Sequence, residues 1–138
     1  MALMTWGPAL QVGYGDIDVQ HKRLVDLINA LDHGMRSGHS RDVLGGVLAE
    51  LARYTQLHFA FEEKLMERYG LSDTEAHRAE HARLTADVMN FKRQFDAGDV
   101  DLSAELLHYL RDWLNFHILQ TDRALAQALR ANGAISAA

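Results

Sequence analysis

The sequence predicts an all-α chain folded as an up-down-up-down antiparallel four-helix bundle behind an irregular N-terminal arm. Three observations carry that expectation. Pro8 is the single proline among 138 residues, so nothing beyond the arm forbids long helices. Apolar residues recur at helical spacing in four long stretches. Short glycine-bearing connections separate those stretches, and short connections between long helices favour antiparallel neighbours.

Residues 1–16 contain Gly7, Pro8, Gly13 and Gly15 and read as the arm. The bundle is expected over 17–133, followed by a C-terminal tail at 134–138. The first helix opens near Ile17, carries Leu24, Ile28, Leu31 and Met35 on its inner stripe, and ends between Gly34 and Gly38. Ser40 is the expected N-cap of the second, whose stripe runs Leu44, Val47, Leu51, Leu65 and Tyr69 and stops at Gly70. Ser72-Asp-Thr-Glu75 reads as a capping box opening the third helix, striped by Leu84, Val88, Phe91 and Phe95 and ended by Gly98. Asp101 or Ser103 starts the fourth, with Leu106, Leu110, Trp113, Ala124 and Ala128 facing inward up to Gly133.

Composition narrows the function. With 14 basic and 19 acidic side chains the net charge is −5, which offers no electrostatic footprint for a nucleic acid or an anionic membrane. No cysteine is present, which removes disulfides, thiolate nucleophiles, iron–sulfur clusters and Cys-ligated zinc together. The N-terminus lacks a basic n-region and no stretch is apolar enough for a membrane span, so a cytoplasmic protein is expected. Eight histidines remain to be explained.

Five of them interrupt the apolar stripes. The series 17, 21, 24, 28 includes His21, and the series 51, 55, 58, 62, 65 includes His58 and Glu62. The third helix begins its series 77, 81, 84, 88 with His77 and His81. The fourth carries His117 in 110, 113, 117, 121, with Asp122 on the adjoining row. Five imidazoles and two carboxylates therefore point toward an apolar core, and no Lys or Arg shares those stripes at that level. Burying an unpaired carboxylate costs several kcal/mol, so such groups must be hydrogen-bonded, ion-paired or metal-bound. Counted from one end of an antiparallel bundle, all seven converge on a common height, which points to a metal site in the bundle core.

Seven ligands exceed the four of a tetrahedral zinc site and suit two six-coordinate first-row metals. Imidazole and carboxylate without sulfur are compatible with iron. If Glu62 and Asp122 both bridge, together with one further oxygen, five histidines divide three and two. One metal is then full, and the other keeps an open position for a diatomic ligand. His117 and Asp122 are five residues apart, about 140° around an ideal helix. Asp122 is expected to reach the site sideways from a regular helix, with a local π-turn as the alternative.

The chain also resembles the hemerythrins, specifically the single-domain bacterial form, the bacteriohemerythrins. The resemblance rests on Trp6 in the arm, Ile17-Asp-Val-Gln-His21, His58-Phe-Ala-Phe-Glu62-Glu, His77-x3-His81 and Trp113-Leu-Asn-Phe-His117-Ile-Leu-Gln-Thr-Asp122, in family order over about residues 6 to 130. Tyr14-Gly15 departs from it, because family arms more often carry acidic or small polar residues there. The resemblance implies that His77, His81 and His117 bind one iron and His21 and His58 the other. Glu62 and Asp122 would bridge them with an oxo or hydroxo group. O2 would bind end-on at the second iron as a peroxide, beside an apolar pocket of Phe59, Trp113, Leu114 and Ile118. The implied function is a non-enzymatic carrier, store or sensor of O2, and no output domain is attached, so a sensor would need a separate signalling or O2-consuming protein partner.

Other functions fit the same residues less completely. A di-iron enzyme with peroxidase, oxidase or nitric-oxide-related activity is the alternative on this ligand set. His77-Arg-Ala-Glu80-His81 matches the H-x-x-E-H zinc-protease pattern but leaves His21, His58, Glu62 and His117 without a role. Ferritin-like sites need two E-x-x-H motifs, and only Glu105-Leu-Leu-His108 fits, at the wrong end of the bundle. His33, His39 and His108 read as solvated surface residues.

Overall fold

Long helices need defined ends, and local chemistry sets each of them in the computed structural model, which describes residues 2–133. The expected tail at 134–138 lies outside the described residues. Helix α1 spans Gly15–Arg36, α2 Arg41–Arg68, α3 Thr74–Asp96 and α4 Ala104–Phe116. A single turn of π-helix, His117–Asp122, joins α4 to α5, Arg123–Ala131, so that α4, the turn and α5 form the fourth rod of the bundle. The up-down-up-down architecture expected from the sequence is the one observed.

Ser40 caps α2 by accepting from the Val43 amide, and Ser103 does the same for α4 through Leu106. Asp101 is not that cap. Its carboxylate pairs with Arg41, whose guanidinium also donates to the Val100 carbonyl and so fastens the α3–α4 connection to α2. The capping box foreseen at Ser72 does not form either. The chain leaves α2 through Gly70 at φ 61°, where the Leu71 amide reaches back to the Met66 carbonyl. Leu71 is thereby fixed, the Thr74 hydroxyl donates to its carbonyl, and α3 starts at Thr74 behind Asp73 without a side-chain cap.

α1 packs on α2 and α4, and α2 packs on α3. Their inward stripes close a core that includes Leu24, Ile28, Leu31, Leu48, Leu51, Leu107 and Leu110. Expected stripe positions Val47, Leu65, Tyr69 and Phe91 lie only half-buried at its margin. α1 also begins two residues earlier than expected. Asp18 explains this, because its carboxylate accepts from the Val12 and Gly13 amides and ties the arm onto the first turn. The arm is not a loose appendage: Met4, Leu10, Val12 and Tyr14 are all buried, and a short 3-10 turn forms at Pro8–Leu10.

Candidate metal centre

The four rods bring all seven sequence-predicted groups into one buried chamber. His21 comes from α1, His58 and Glu62 from α2, His77 and His81 from α3, and His117 and Asp122 from the two ends of the π-turn. Five of the seven have no exposed surface, and His81 and His77 are 2% and 8% exposed. The i,i+4 spacing does what helix geometry requires: His58 and Glu62 approach to 3.4 Å, and the His77 and His81 ring centroids lie 4.7 Å apart.

The π-turn corrects one expectation. Asp122 does not reach sideways from a regular helix. Hydrogen bonds closed from i to i+5 swing residues five apart toward one face, which sets His117 Nε2 2.7 Å from Asp122 Oδ2. The turn takes up one extra residue and shifts the phase of everything that follows. Leu125, Ala126 and Leu129 fill the core in place of the expected pair, since Ala124 is exposed and Ala128 half-buried.

All five imidazoles present Nε2 to the two carboxylates. Asp122 Oδ2 lies 2.6 Å from His21 Nε2 and 3.3 Å from His58 Nε2, while Oδ1 faces His77 Nε2 at 3.4 Å. Glu62 is split in the same way, with Oε2 toward His58 and Oε1 toward His81 at 3.1 Å, His117 at 3.6 Å and His77 at 3.7 Å. Each carboxylate thus turns one oxygen to the α3 imidazoles and the other to the α1–α2 imidazoles. His117 Nε2 stands between the two sets, 3.3 Å from His58 Nε2, and groups with His21 and His58 in this arrangement, whereas the family resemblance pairs it with His77 and His81.

Among these approaches His21 and His58 bond to Asp122 Oδ2 and His58 pairs with His117, while several of the rest are not hydrogen bonds. Both Glu62 oxygens, Asp122 Oδ1, His77 Nε2 and His81 Nε2 are buried with no hydrogen-bond partner. Ionised carboxylates only accept, so two of them among imidazoles share too few protons to satisfy every lone pair. The titration of the cluster reflects that shortage. Burial pushes the imidazoles of His58 and His81 down to about 3, and it also lowers His21. Burial and then the Asp122 charge lift Glu62 well above the usual carboxylate range. For Asp122 burial acts upward, but His117 and the hydrogen bonds around it hold it well below that range. Burial would lower His117 too, yet the Asp122 and Glu62 charges raise it well above an ordinary histidine. Cations bound between the two imidazole sets would accept all these lone pairs at once, so the donor set fits a metal centre.

Outer partners hold the rings in place. His58 Nδ1 meets Gln20 Oε1 at 2.7 Å, and His81 Nδ1 meets Glu63 Oε2 at 2.9 Å. Glu80 Oε1 lies 3.7 Å behind His117 Nδ1, accepts from the Thr121 hydroxyl, and so stands on the outer side of His117 instead of serving a His77–His81 zinc pair. An acceptor at Nδ1 favours the tautomer that frees Nε2 for a metal. The sequence reading missed all three, although each directly flanks a predicted ligand in the chain.

Residues 12–129 match the family model of the hemerythrin HHE cation binding domain. The chain belongs to the hemerythrin family. It is 38% identical over 132 residues to the bacteriohemerythrin of Stenotrophomonas maltophilia (strain R551-3), an alignment covering 96% of this chain and 85% of that protein. Against the bacteriohemerythrin of Methylococcus capsulatus the identity is 35% over 132 residues, with 95% and 100% covered. Crystal structures of a hemerythrin point mutant and of wild-type hemerythrin superpose with TM-scores of 0.88 and 0.86 at 34% identity. They cover 94% and 93% of this chain and 98% of each of those chains.

Within this hemerythrin fold two of the four residues expected around the open position, Phe59 and Trp113, lie against the histidines. The Phe59 ring lies flat on His81 at 3.9 Å, with His58 5.9 Å away, and Trp113 stacks on His117 at 5.5 Å. Leu114 and Ile118 are wholly buried. Trp113 Nε1 is a buried donor without a partner. His33, His39 and His108 are exposed, as is Glu105. Among the described residues no helix is long and apolar enough to cross a membrane.

Proposed function

We propose that the chain binds O2 reversibly at a non-haem di-iron centre held by His21, His58, Glu62, His77, His81, His117 and Asp122. The observation that carries this reading is the split presentation of Glu62 and Asp122, each with one oxygen toward either imidazole set, together with their buried unpartnered atoms. Glu62 and Asp122 would hold both ions, with an oxo or hydroxo group completing the pair. The family resemblance gives His77, His81 and His117 to one iron and His21 and His58 to the other, which would require His117 to turn from the set it stands with here. Iron held there would supply the electrons for reversible O2 binding.

The protein's own residues make release possible. Phe59, Trp113, Leu114 and Ile118 keep water from the open position, and the acceptors at Gln20 and Glu63 fix the rings of His58 and His81 so that Nε2 stays inward. Five neutral imidazoles against two carboxylates give less stabilisation of oxidised metal than a carboxylate-rich site would, which favours binding over turnover. The names of the similar bacteriohemerythrins agree with this reading. The test is anaerobic loading with Fe(II), followed by air and then by argon. Two irons per chain and a visible charge-transfer band that appears with O2 and fades under argon are expected. A band that never reverses, or steady consumption of O2 by a mixture supplied with reductant, would point to the enzyme alternative.

A further inference from the structure

Away from the histidines the core contains a recess of about 30 Å³ between α2, α3 and α4. Its walls are Leu48, Leu51, Val88, Phe91, Leu106 and Leu110. The remaining lining groups, Asp87 and Tyr109, stand at the mouth and bond to each other, the phenol donating to Asp87 Oδ2 at 3.3 Å. A buried water needs two to four polar partners, and the walls offer none, so a space of this kind stays dry. It is about twice the size one water requires, which suits a diatomic molecule without a dipole.

Its place along the bundle is regular. Leu51 precedes His58 by seven residues, Val88 follows His81 by seven, and Leu110 precedes His117 by seven. On three separate helices the recess therefore lies two turns, about 10 Å, from a histidine of the centre, on the same inward stripe. One layer of side chains fills the interval: Thr55, Leu84 and Leu114, all buried. The Thr55 hydroxyl donates to the Leu51 carbonyl at 2.7 Å, so it is spent on its own helix and offers no free polar group to the interval. An apolar gas leaving the recess toward the histidines meets hydrocarbon and one satisfied hydroxyl throughout.

We infer that this recess is a docking site for a small apolar gas, O2 in the cell, on the way from the Asp87–Tyr109 mouth to the metal centre. The route rests on the proposed O2-binding function; the docking site does not. Xenon separates the two. In crystals of the full iron-loaded chain under xenon pressure, an anomalous-scattering peak is expected among Leu51, Val88 and Leu110. It should vanish in Val88→Phe, which fills the space, and weaken in Leu106→Phe, a milder change at a half-buried wall position that keeps the test available if the first variant folds poorly. No xenon there, or xenon only elsewhere, overturns the docking site. In rapid mixing with O2, both variants should retain their iron and associate severalfold more slowly than wild type. Unchanged association with xenon excluded overturns the route. A wild-type protein that takes up xenon in the recess but never binds O2 defeats the proposed function and the route, and leaves the docking site standing.

Discussion

The two halves of the bundle are built on the same inward stripes and spend them differently. In the half containing Leu31, Leu48, Leu51, Leu107 and Phe95 the core is hydrocarbon, buried Asp32 is paired with Arg36, and the helices are regular. In the other half the same stripes carry seven polar groups, seven buried polar atoms of which lack a hydrogen bond, and one rod abandons the α-helix for a π-turn. The first half supplies stability that the second half consumes. Polar groups at such positions persist only when the rest of the fold holds them and a ligand rewards them.

The sharpest way to break that contrast is to delete one residue from each kind of helix. Removing exposed Leu57 from regular α2 would rotate everything beyond it by about 100° and turn His58 and Glu62 out of the chamber. Loss of metal binding and of cooperative melting is expected. Removing Thr121 from the π-turn should instead leave a continuous α-helix with Leu125, Ala126 and Leu129 still inward, because the turn already contains the extra residue. Circular dichroism should show full helicity, and metal binding should weaken without disappearing. Equal collapse of both deletions would show that the turn is not an inserted residue.

Point substitutions sharpen the same comparison. Leu107→Ala, in the hydrocarbon half, should cost about 2–5 kcal/mol of stability in denaturant melts with metal stoichiometry unchanged. His117→Ala should lose most of the metal while the metal-free melting point moves much less. Leu114 lies at the boundary, three residues before His117 and wholly buried. Leu114→Ala and Leu114→Asp should both speed autoxidation of the oxygenated protein, the Asp variant more, with metal content near that of wild type. Identical autoxidation rates in all three would remove Leu114 from the pocket wall.

The smallest effect is on pH dependence. His58 and His81 titrate near 3 when folded and near 6.5 when unfolded, so the unfolded chain binds more protons as the pH falls. Their contribution is intact above about pH 6.5 and is lost as the pH falls toward 3. His21 and Asp122, also depressed, act in the same direction, while the raised His117 and Glu62 oppose them. His81→Gln, which removes one of the depressed imidazoles, should therefore make the melting temperature of the metal-free protein fall less steeply as the pH drops across that window.

The seven buried polar groups were readable from sequence because each is a polar residue on an inward row where the helical period leads one to expect an apolar one. The turn was not readable, since five residues between His117 and Asp122 admit either a sideways reach or a π-turn, and hydrophobic period alone does not choose. A clue lay downstream, where Leu125 and Leu129 continue the register of Asp122 and Ala124 and Ala128 continue that of a regular helix. The larger residues fill the core. The buried arm was missed for a similar reason: Leu10, Val12 and Tyr14 alternate with a period of two, a signal that glycine and proline nearby obscured. Ser72 failed as a cap because the preceding left-handed Gly70 had already set the path of the chain.

If the unpartnered Glu62 oxygens, Asp122 Oδ1 and the Nε2 atoms of His77 and His81 are metal ligands, metal must stabilise the fold. Anaerobic titration of the metal-free full chain with Fe(II), followed by calorimetric melting at each addition, tests it most directly. Saturation at two irons per chain is expected, with a melting temperature that climbs with free metal, as binding to the native state alone requires. A melting temperature indifferent to iron, or saturation by a single zinc with iron excluded, would contradict it.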